Sequence, residues 1–199
     1  MEHGDESVGG VLLAAGMGTR FEAGNKLLAA VDGVPIVRRA ARSLVVSSVA
    51  GVTAVVGHDA EAVRGALAGL DLSIRHNPDY ERGQSTSVGT GVEAARQRGW
   101  DACLFALGDM PAVSPATVDT LVGAYREGRG TVLAPAYDGM RGNPVLFDGR
   151  HYGELTAVTG DRGGRAIIEE QGTLVPVDDP GVRRDVDRTE DLDGLGDSP

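Results

Sequence analysis

Residues 10–20 read Gly-Val-Leu-Leu-Ala-Ala-Gly-Met-Gly-Thr-Arg, and the next basic residue along the chain is Lys26. Gly10–Ala15 is a short continuous apolar run, the pattern of a strand buried on both faces. Small residues and two glycines follow it at once. Such a loop lets backbone come close to a ligand and turn N–H groups toward an anion. Arg20 and Lys26 then add two positive charges, which suits a polyphosphate.

Outward from this stretch, apolar runs alternate with amphipathic segments. The residues predict a helix over Pro35–Ser47, with Ile36, Val37, Ala40, Ala41 and Leu44 at helical spacing. A strand is expected at Val52–Val56 and a helix at Ala60–Leu67 with Asp59 as N-cap. A short strand at Leu72–Arg75 ends at the Asn77-Pro78 turn signal. Thr86–Arg98 reads as a helix with Ser85 at its cap, and Ala102–Leu107 is the most apolar strand. Ser114 and Pro115 open a helix through about Arg126, Pro115 sitting where a missing N–H costs nothing. Thr131–Ala136 is another strand. Beyond Tyr137, Gly142–Phe147 and Thr173–Val177 are strand-like and Ala166–Glu170 is helical. The alternation indicates a three-layer α/β/α domain around a mostly parallel, Rossmann-like sheet. We expect one domain over 9–192, a disordered N-terminus over 1–8 and a frayed tail over 193–199.

Composition sets limits on function. The chain has 199 residues and a formal net charge of -10, which disfavours nucleic acid or an anionic membrane as partner. No apolar stretch approaches the roughly 20 residues that span a bilayer, and the acidic start does not read as a secretory signal. The single cysteine, Cys103, lies in an apolar run and reads as a buried small hydrophobe. A cytoplasmic protein is expected. Of 19 basic residues 18 are Arg, so Lys26 is the only lysine. Many Asp and almost no Lys resembles the surface of proteins from salt-loving organisms. Where such a chain retains one lysine, a compact point charge is wanted.

Two further motifs carry acidic chemistry. Asp109, in Leu107-Gly108-Asp109-Met110-Pro111, follows the most apolar strand, at the sheet edge where open α/β folds bind ligands. A carboxylate there is placed to hold Mg²⁺, which takes one or two carboxylates plus phosphate oxygens. Asp185-Val186-Asp187 puts two carboxylates on one side of an extended segment, and either would complete a metal site with Asp109. Two other nucleotide motifs fit badly. A dinucleotide fingerprint needs a third glycine where Phe21 stands, and a P-loop needs glycine before and Ser or Thr after a lysine, whereas Asn25 and Leu27 flank Lys26. His3, His58, His76 and His151 lie in no motif.

Taken in order, Leu-Ala-Ala-Gly-x-Gly-x-Arg with Lys26, Asn77-Pro78 with Gly83 and Ser87, Leu107–Pro111, Arg141–Phe147, Gly160–Arg165 and Asp185-x-Asp187 ahead of Glu190-Asp191-Leu192 form one series. It resembles the MobA-like NTP transferase family, and within it the molybdenum cofactor cytidylyltransferase group. The resemblance runs from about Gly10 to Leu192. It implies the nucleotide-diphospho-sugar transferase type of fold and a magnesium-dependent nucleotidyltransferase. Catalytic roles would fall to Arg20, Lys26 and Asp109. Leu13, Ala14, Ala15, Gly16, Gly18, Arg20, Lys26, Asn77, Pro78, Gly83, Ser87 and Gly108 would surround the nucleotide. Asp109, Asp185 and Asp187 would be the metal ligands. Arg141, Asn143, Pro144, Asp161, Arg162 and Gly163 would face the acceptor. Ala15 and Gly108 lean toward a pyrimidine nucleotide, CTP. Ser85 and Thr189 depart from residues frequent at those places in the family. The implied acceptor is a phosphorylated molybdopterin, and the implied protein partner a molybdoenzyme or its chaperone. A phosphate acceptor is already anionic at neutral pH, so transfer to the α-phosphorus needs positioning and charge stabilisation rather than a protein base. A guanylyltransferase or another cytidylyltransferase with a different acceptor is the alternative on the same frame; a nucleotide-binding chaperone without turnover and a nicotinamide-dependent oxidoreductase are the alternatives in other classes.

Overall fold

At the centre of the sheet lies β1 (Val8–Ala14), in parallel with β4 (Val52–Val56) on one side and β6 (Ala102–Leu107) on the other. The computed structural model describes residues 6–18, 21, 24–157, 164–193 and 195. β5 (Ser73–His76) continues the parallel set beyond β4. Past β6 come β9 (Val145–Asp148), β7 (Val132–Tyr137) and β10 (Thr173–Pro176), giving the order β10-β7-β9-β6-β1-β4-β5. β10 is parallel to β7, while β9 runs antiparallel to both of its neighbours. The reason for the reversal is local. Asp138 and Gly139 both have positive φ (49° and 74°), which makes a two-residue hairpin between β7 and the short β8 (Met140–Arg141). A chain returned so tightly has no length for a crossover helix, so the strand after it runs antiparallel. An antiparallel pair, β2 (Ala30–Val31) and β3 (Val34–Pro35), stands apart from this sheet.

Each strand alternates between two cores, as period-two geometry demands. Leu104 of β6 faces one cluster, with α1 (Ile36–Val45), α2 (Ala60–Leu67) and α4 (Pro115–Arg126) packed over it. Cys103 and Phe105 face the other, covered by α3 (Gln84–Arg98), α5 (Tyr152–Ala157) and α6 (Arg165–Gln171). The three-layer, mostly parallel architecture thus follows the expectation from alternation. Burial pushes the Cys103 thiol up to about 12, against a smaller opposing effect of its hydrogen bond with Tyr152, so it is the inert core residue its setting suggested.

Several local expectations need correction. Val8 is fully buried in β1 and Ser7 is tied to Asp101, so order begins before residue 9. Leu195 does not fray; it is buried with Phe21, Val31, Ile36 and Val186, because this small apolar cluster gives it a place to dock. Asp59 precedes α2 but does not cap it through its side chain. Its backbone is left-handed (φ 49°), and its carboxylate instead accepts from Asn25 Nδ2 at 3.2 Å. α3 starts at Gln84, with Gly83 rather than Ser85 at the cap, since Gly83 at φ 107° turns the chain two residues sooner. Residues 184–187 form no strand.

α3 lies close on the sheet because Gly91 allows it: a Cβ there would come within 2.6 Å of Val11 Cγ1 and 2.9 Å of Phe105 Cε1. Gly91→Ala sets two effects against each other. Inside an exposed helix the change gains about 1 kcal/mol; overpacking a tight core costs about 1–3 kcal/mol. Steric conflict with a β-branched side chain on a central strand is the larger here, so the variant should be destabilised, seen as a lower urea midpoint at unchanged slope.

Candidate active site

From β1 the chain proceeds to β4 and β5 on one flank, while β6 lies on the other. β1 and β6 stay paired to their C-terminal ends, and a crevice lies beyond those ends at this switch in strand order. Asp109 stands in that crevice just beyond β6. Gly108 before it is pressed against β1: its N–H donates to Leu13 O at 2.9 Å, and a Cβ would meet that oxygen at 3.1 Å.

Lys26 reaches the same point from a different direction. It begins a 3₁₀ turn, Lys26–Leu28, anchored by buried Leu27 and capped by Asn25, whose Oδ1 accepts from Leu27 N at 3.0 Å. Gly18 backs its stem. The backbone there is left-handed (φ 56°), and a Cβ would sit 3.0 Å from Lys26 Cγ. Lys26 Nζ donates to Asp109 Oδ2 at 2.7 Å and to Asp187 Oδ1 at 2.9 Å.

Asp187 is held from below and behind. Val186 N donates to Asp109 O at 2.9 Å, and the Val186 side chain is buried. Asp191 accepts from Asp187 N at 2.9 Å and Arg188 N at 2.7 Å, and these backbone N–H groups hold its carboxyl below the usual range. Of the two expected partners, Lys26 thus meets Asp187 and not Asp185, which is exposed; the single inward residue, Val186, leaves only its C-terminal neighbour facing the lysine.

Burial works against the Lys26 ammonium, but the charges and hydrogen bonds of Asp109 and then Asp187 outweigh it and raise its pKa above the ordinary 10.5. The other oxygen of Asp109, Oδ1, is buried without a hydrogen-bond partner among the described residues. An unpaired buried carboxylate oxygen is costly, and it is the donor a hard cation would satisfy.

Two pockets flank the triad. One is lined by Leu13, Ala15, Gly16, Met17, Lys26, Asp109, Tyr80, Gly83, Gln84 and Ser87. The other is mostly apolar, with Val88, Phe105, Val145, Phe147, Leu155 and Ile168, and carries Arg141, Asn143 and Arg165. Leu13, Gln84 and Leu107 are common to both, so the pockets adjoin at the ends of β1 and β6. A Cβ on Gly16 would meet nothing within 4 Å, so the loop is open beside it.

The expected residues fall into five groups. Leu13, Ala15, Gly16, Lys26, Gly83, Ser87 and Asp109 line the first pocket, and Arg141 and Asn143 the second. Ala14, Gly18, Asn77 and Gly108 act behind the wall. Asn77 is buried, and its Nδ2 bonds Thr86 Oγ1 and Ser87 Oγ, both at 2.9 Å, to fix the start of α3. Pro78 and Pro144 line neither pocket; Pro144 is buried beside α1 and α4 residues. Arg20, Asp161, Arg162 and Gly163 lie outside the described residues. Tyr80, Phe105, Phe147 and Arg165 were not anticipated as lining residues, nor Asn25, Asp59 and Asp191 as supports. Two sequence signals existed: Asn25 directly precedes Lys26, and Asp191 sits in the Glu-Asp-Leu that ends the motif series.

The family model for the MobA-like NTP transferase domain matches residues 10–177. The chain belongs to this family. Over 198 residues this MobA-like chain is 32% identical to the nicotine blue oxidoreductase of Paenarthrobacter nicotinovorans, spanning 93% of this chain and 94% of that one. It is 32% identical over 169 residues to the bifunctional protein GlmU of Allorhizobium ampelinum, covering 84% of this chain but 33% of that longer protein. A Methanothermobacter nucleotidyl transferase superposes with a TM-score of 0.79 at 26% identity, over 93% of this chain and 94% of that one. A Mycobacterium tuberculosis protein solved in complex with manganese has the same fold, with a TM-score of 0.76 at 23% identity over 97% of this chain and 100% of that one. By its family the MobA-like chain is a nucleotidyltransferase. None of its described helices is long and apolar enough to cross a membrane.

The raised Lys26 pKa has a definite consequence for stability. Its pairing stabilises the fold fully below the unfolded value of 10.5 and is lost as pH rises through the higher folded value. In chelator-containing buffer, the urea midpoint advantage of wild type over Lys26→Met should hold from about pH 8 and shrink above about pH 10.5. As the chain has one lysine, the difference isolates this group.

Proposed function

We propose that the chain transfers CMP from CTP to a small phosphorylated acceptor, releasing pyrophosphate, with Mg²⁺ as the divalent cation. The observation that carries this reading is Lys26 held between Asp109 and Asp187 at the strand-order switch, beside a glycine-lined pocket. Asp109 and Asp187 would hold the cation, and the buried Oδ1 of Asp109, without a partner among the described residues, is the feature that fits it. Once bound, the cation supplies positive charge to phosphate oxygens.

The chain's own residues do the rest. The Ala15–Gly18 loop receives the triphosphate, and Lys26 offsets charge at the α-phosphate and on the departing pyrophosphate. A phosphate oxygen of the acceptor attacks the α-phosphorus; that O–P bond forms as the bond to pyrophosphate breaks. The acceptor phosphate is already anionic, so no side chain must take a proton. Arg141 and Asn143, with Arg165 beside them, face the acceptor from the second pocket, and the family resemblance extends the same role to Asp161, Arg162 and Gly163. Leu13 and Leu107, shared by the two pockets, mark where donor and acceptor meet. The acceptor proposed is a phosphorylated molybdopterin, with delivery to a molybdoenzyme or its chaperone. The expected working place is the cytoplasm.

The similarity to nicotine blue oxidoreductase along 93% of the chain favours a second reading, a redox enzyme on the same frame. Against it, Phe21 stands buried where the third glycine of a dinucleotide loop belongs. The test separates both. Purified protein is incubated with Mg²⁺, each NTP in turn and phosphorylated acceptors, with pyrophosphate and product mass as readouts. CTP should give a product heavier by CMP, and Asp109→Ala should lower turnover by about 10²–10³ with the fold intact. Oxidation of a reduced nicotinamide by a dye acceptor, with no pyrophosphate from any NTP, would establish the redox reading instead.

A further inference from the structure

A single ammonium already fills the seat that the two acidic side chains make. Lys26 Nζ lies 2.7 Å from one oxygen of Asp109 and 2.9 Å from one of Asp187. The lysine side chain is 14% exposed and that of Asp109 21%, so this pair meets with limited help from water, while Asp187, at 43%, closes the seat on its solvent side. The turn that carries Lys26 is not loose. Asn25 caps it and is itself fastened to Asp59, while Gly18 packs on the lysine stem.

We propose that Lys26 competes with the divalent cation for this seat, and that the polyphosphate resolves the competition, so that cation and nucleotide bind as an obligatory pair. The inference rests on Asp109 and Asp187 being the metal-binding carboxylates. The argument is one of charge. Two carboxylates and one ammonium sum to -1. A dication entering alone must either displace the ammonium or sit beside it, and the second arrangement sets like charges together in a partly desolvated crevice. A displaced Lys26 then loses both of its short carboxylate contacts. A triphosphate changes both terms at once. It supplies phosphate oxygens to the cation, which Mg²⁺-type ions demand in addition to one or two carboxylates. It also offers Lys26 a new anionic partner across the adjoining loop, whose Gly16 is open to solvent. The penalty that each ligand pays alone is thus removed by the other, which is positive coupling, and by linkage it is the same for both ligands.

Lys26 therefore has a role besides charge stabilisation: it guards the acidic pair against free divalent ions. Why this chain keeps its one lysine here, amid 18 arginines, follows from the same reasoning. An ammonium is a compact charge with three rotatable donors that two carboxylates can share and a phosphate can take over, whereas a guanidinium fork locks onto one carboxylate.

The test uses Mn²⁺ as the probe and its electron paramagnetic resonance signal as the readout of free ion. Affinity is measured without and with a non-hydrolysable α,β-methylene CTP, on wild type, Lys26→Met and the double variant Lys26→Met with Asp187→Asn. Wild type should bind Mn²⁺ weakly alone and about tenfold or more tightly with the analogue. Lys26→Met should bind Mn²⁺ alone about tenfold more tightly than wild type and lose most of the dependence on nucleotide. The double variant should fall back, showing that the gained affinity belongs to the acidic pair. Thermal melting confirms that each variant is folded. Mn²⁺ binding to folded Lys26→Met that is no tighter than to wild type overturns the competition. Gain of Mn²⁺ affinity in a protein that releases no pyrophosphate from any NTP leaves the competition standing and removes the transferase reading, so the two failures are distinguishable.

Discussion

One ammonium joining two carboxylates is the constraint on which the geometry of the crevice depends. The partners of Lys26 lie 83 and 161 residues away in sequence, so the contact closes only when three separate loops converge. Each loop is seated by uncharged packing first. Leu27 anchors the lysine turn, Gly108 fits Asp109 against β1, and buried Val186 fixes the segment that carries Asp187. The order matters energetically. A partly buried ion pair returns little beyond its desolvation cost, whereas loss of one member leaves an uncompensated charge. The hydrophobic anchors therefore fold the site, and the charges give it its chemistry.

The sheet explains why these loops can meet. With β1 at the centre and neighbours added on both flanks, a crevice lies beyond the ends of β1 and β6. The antiparallel return of β9 has a second effect. It brings Arg141 and Asn143, at the start of that return, to the same end of the sheet as Asp109, and so builds the second pocket next to the first. A fully parallel arrangement would have spent those residues at the opposite edge.

Much of this was legible in the chain because local chemistry and tertiary outcome agreed. Val52–Val56, Ala60–Leu67 and Ala102–Leu107 run where their patterns predict. The helix at Pro115 starts as Ser114 dictates, its side chain accepting from Ala116 N. Misreadings arose where a residue does two things. Asp59 carries the composition of a cap, but tertiary contact with Asn25 takes its carboxylate. Asp185-Val186-Asp187 shows the alternation of a strand, yet the segment pairs with no strand and bonds to Asp109 through a single backbone N–H. Linear spacing made its two carboxylates equivalent, and only the approach of Lys26 distinguishes Asp187. The apolar wall of the second pocket was illegible for a different reason. Phe105 and Phe147 read as core, and they are core; that their edge also borders a cavity depends on the register of β6 against β9.

The frame alone does not choose a chemistry, since its full-length relatives include an oxidoreductase as well as transferases. The carboxylates are the more decisive feature. Asp109 borders a pocket whose glycine loop suits an anion, and its negative charge together with that of Asp187 repels a bare polyphosphate. A cation at such a site offsets that repulsion, since the single charge of Lys26 is shared between both carboxylates. A redox pocket gains nothing from this arrangement and would pay its desolvation cost without return. The acidic pair is thus hard to explain as an accident of an acidic chain, since its members are partly buried, held by named backbone and side-chain bonds, and shared by the one lysine in the sequence. Cation-assisted transfer of a phosphorus group is the chemistry that uses every member of it.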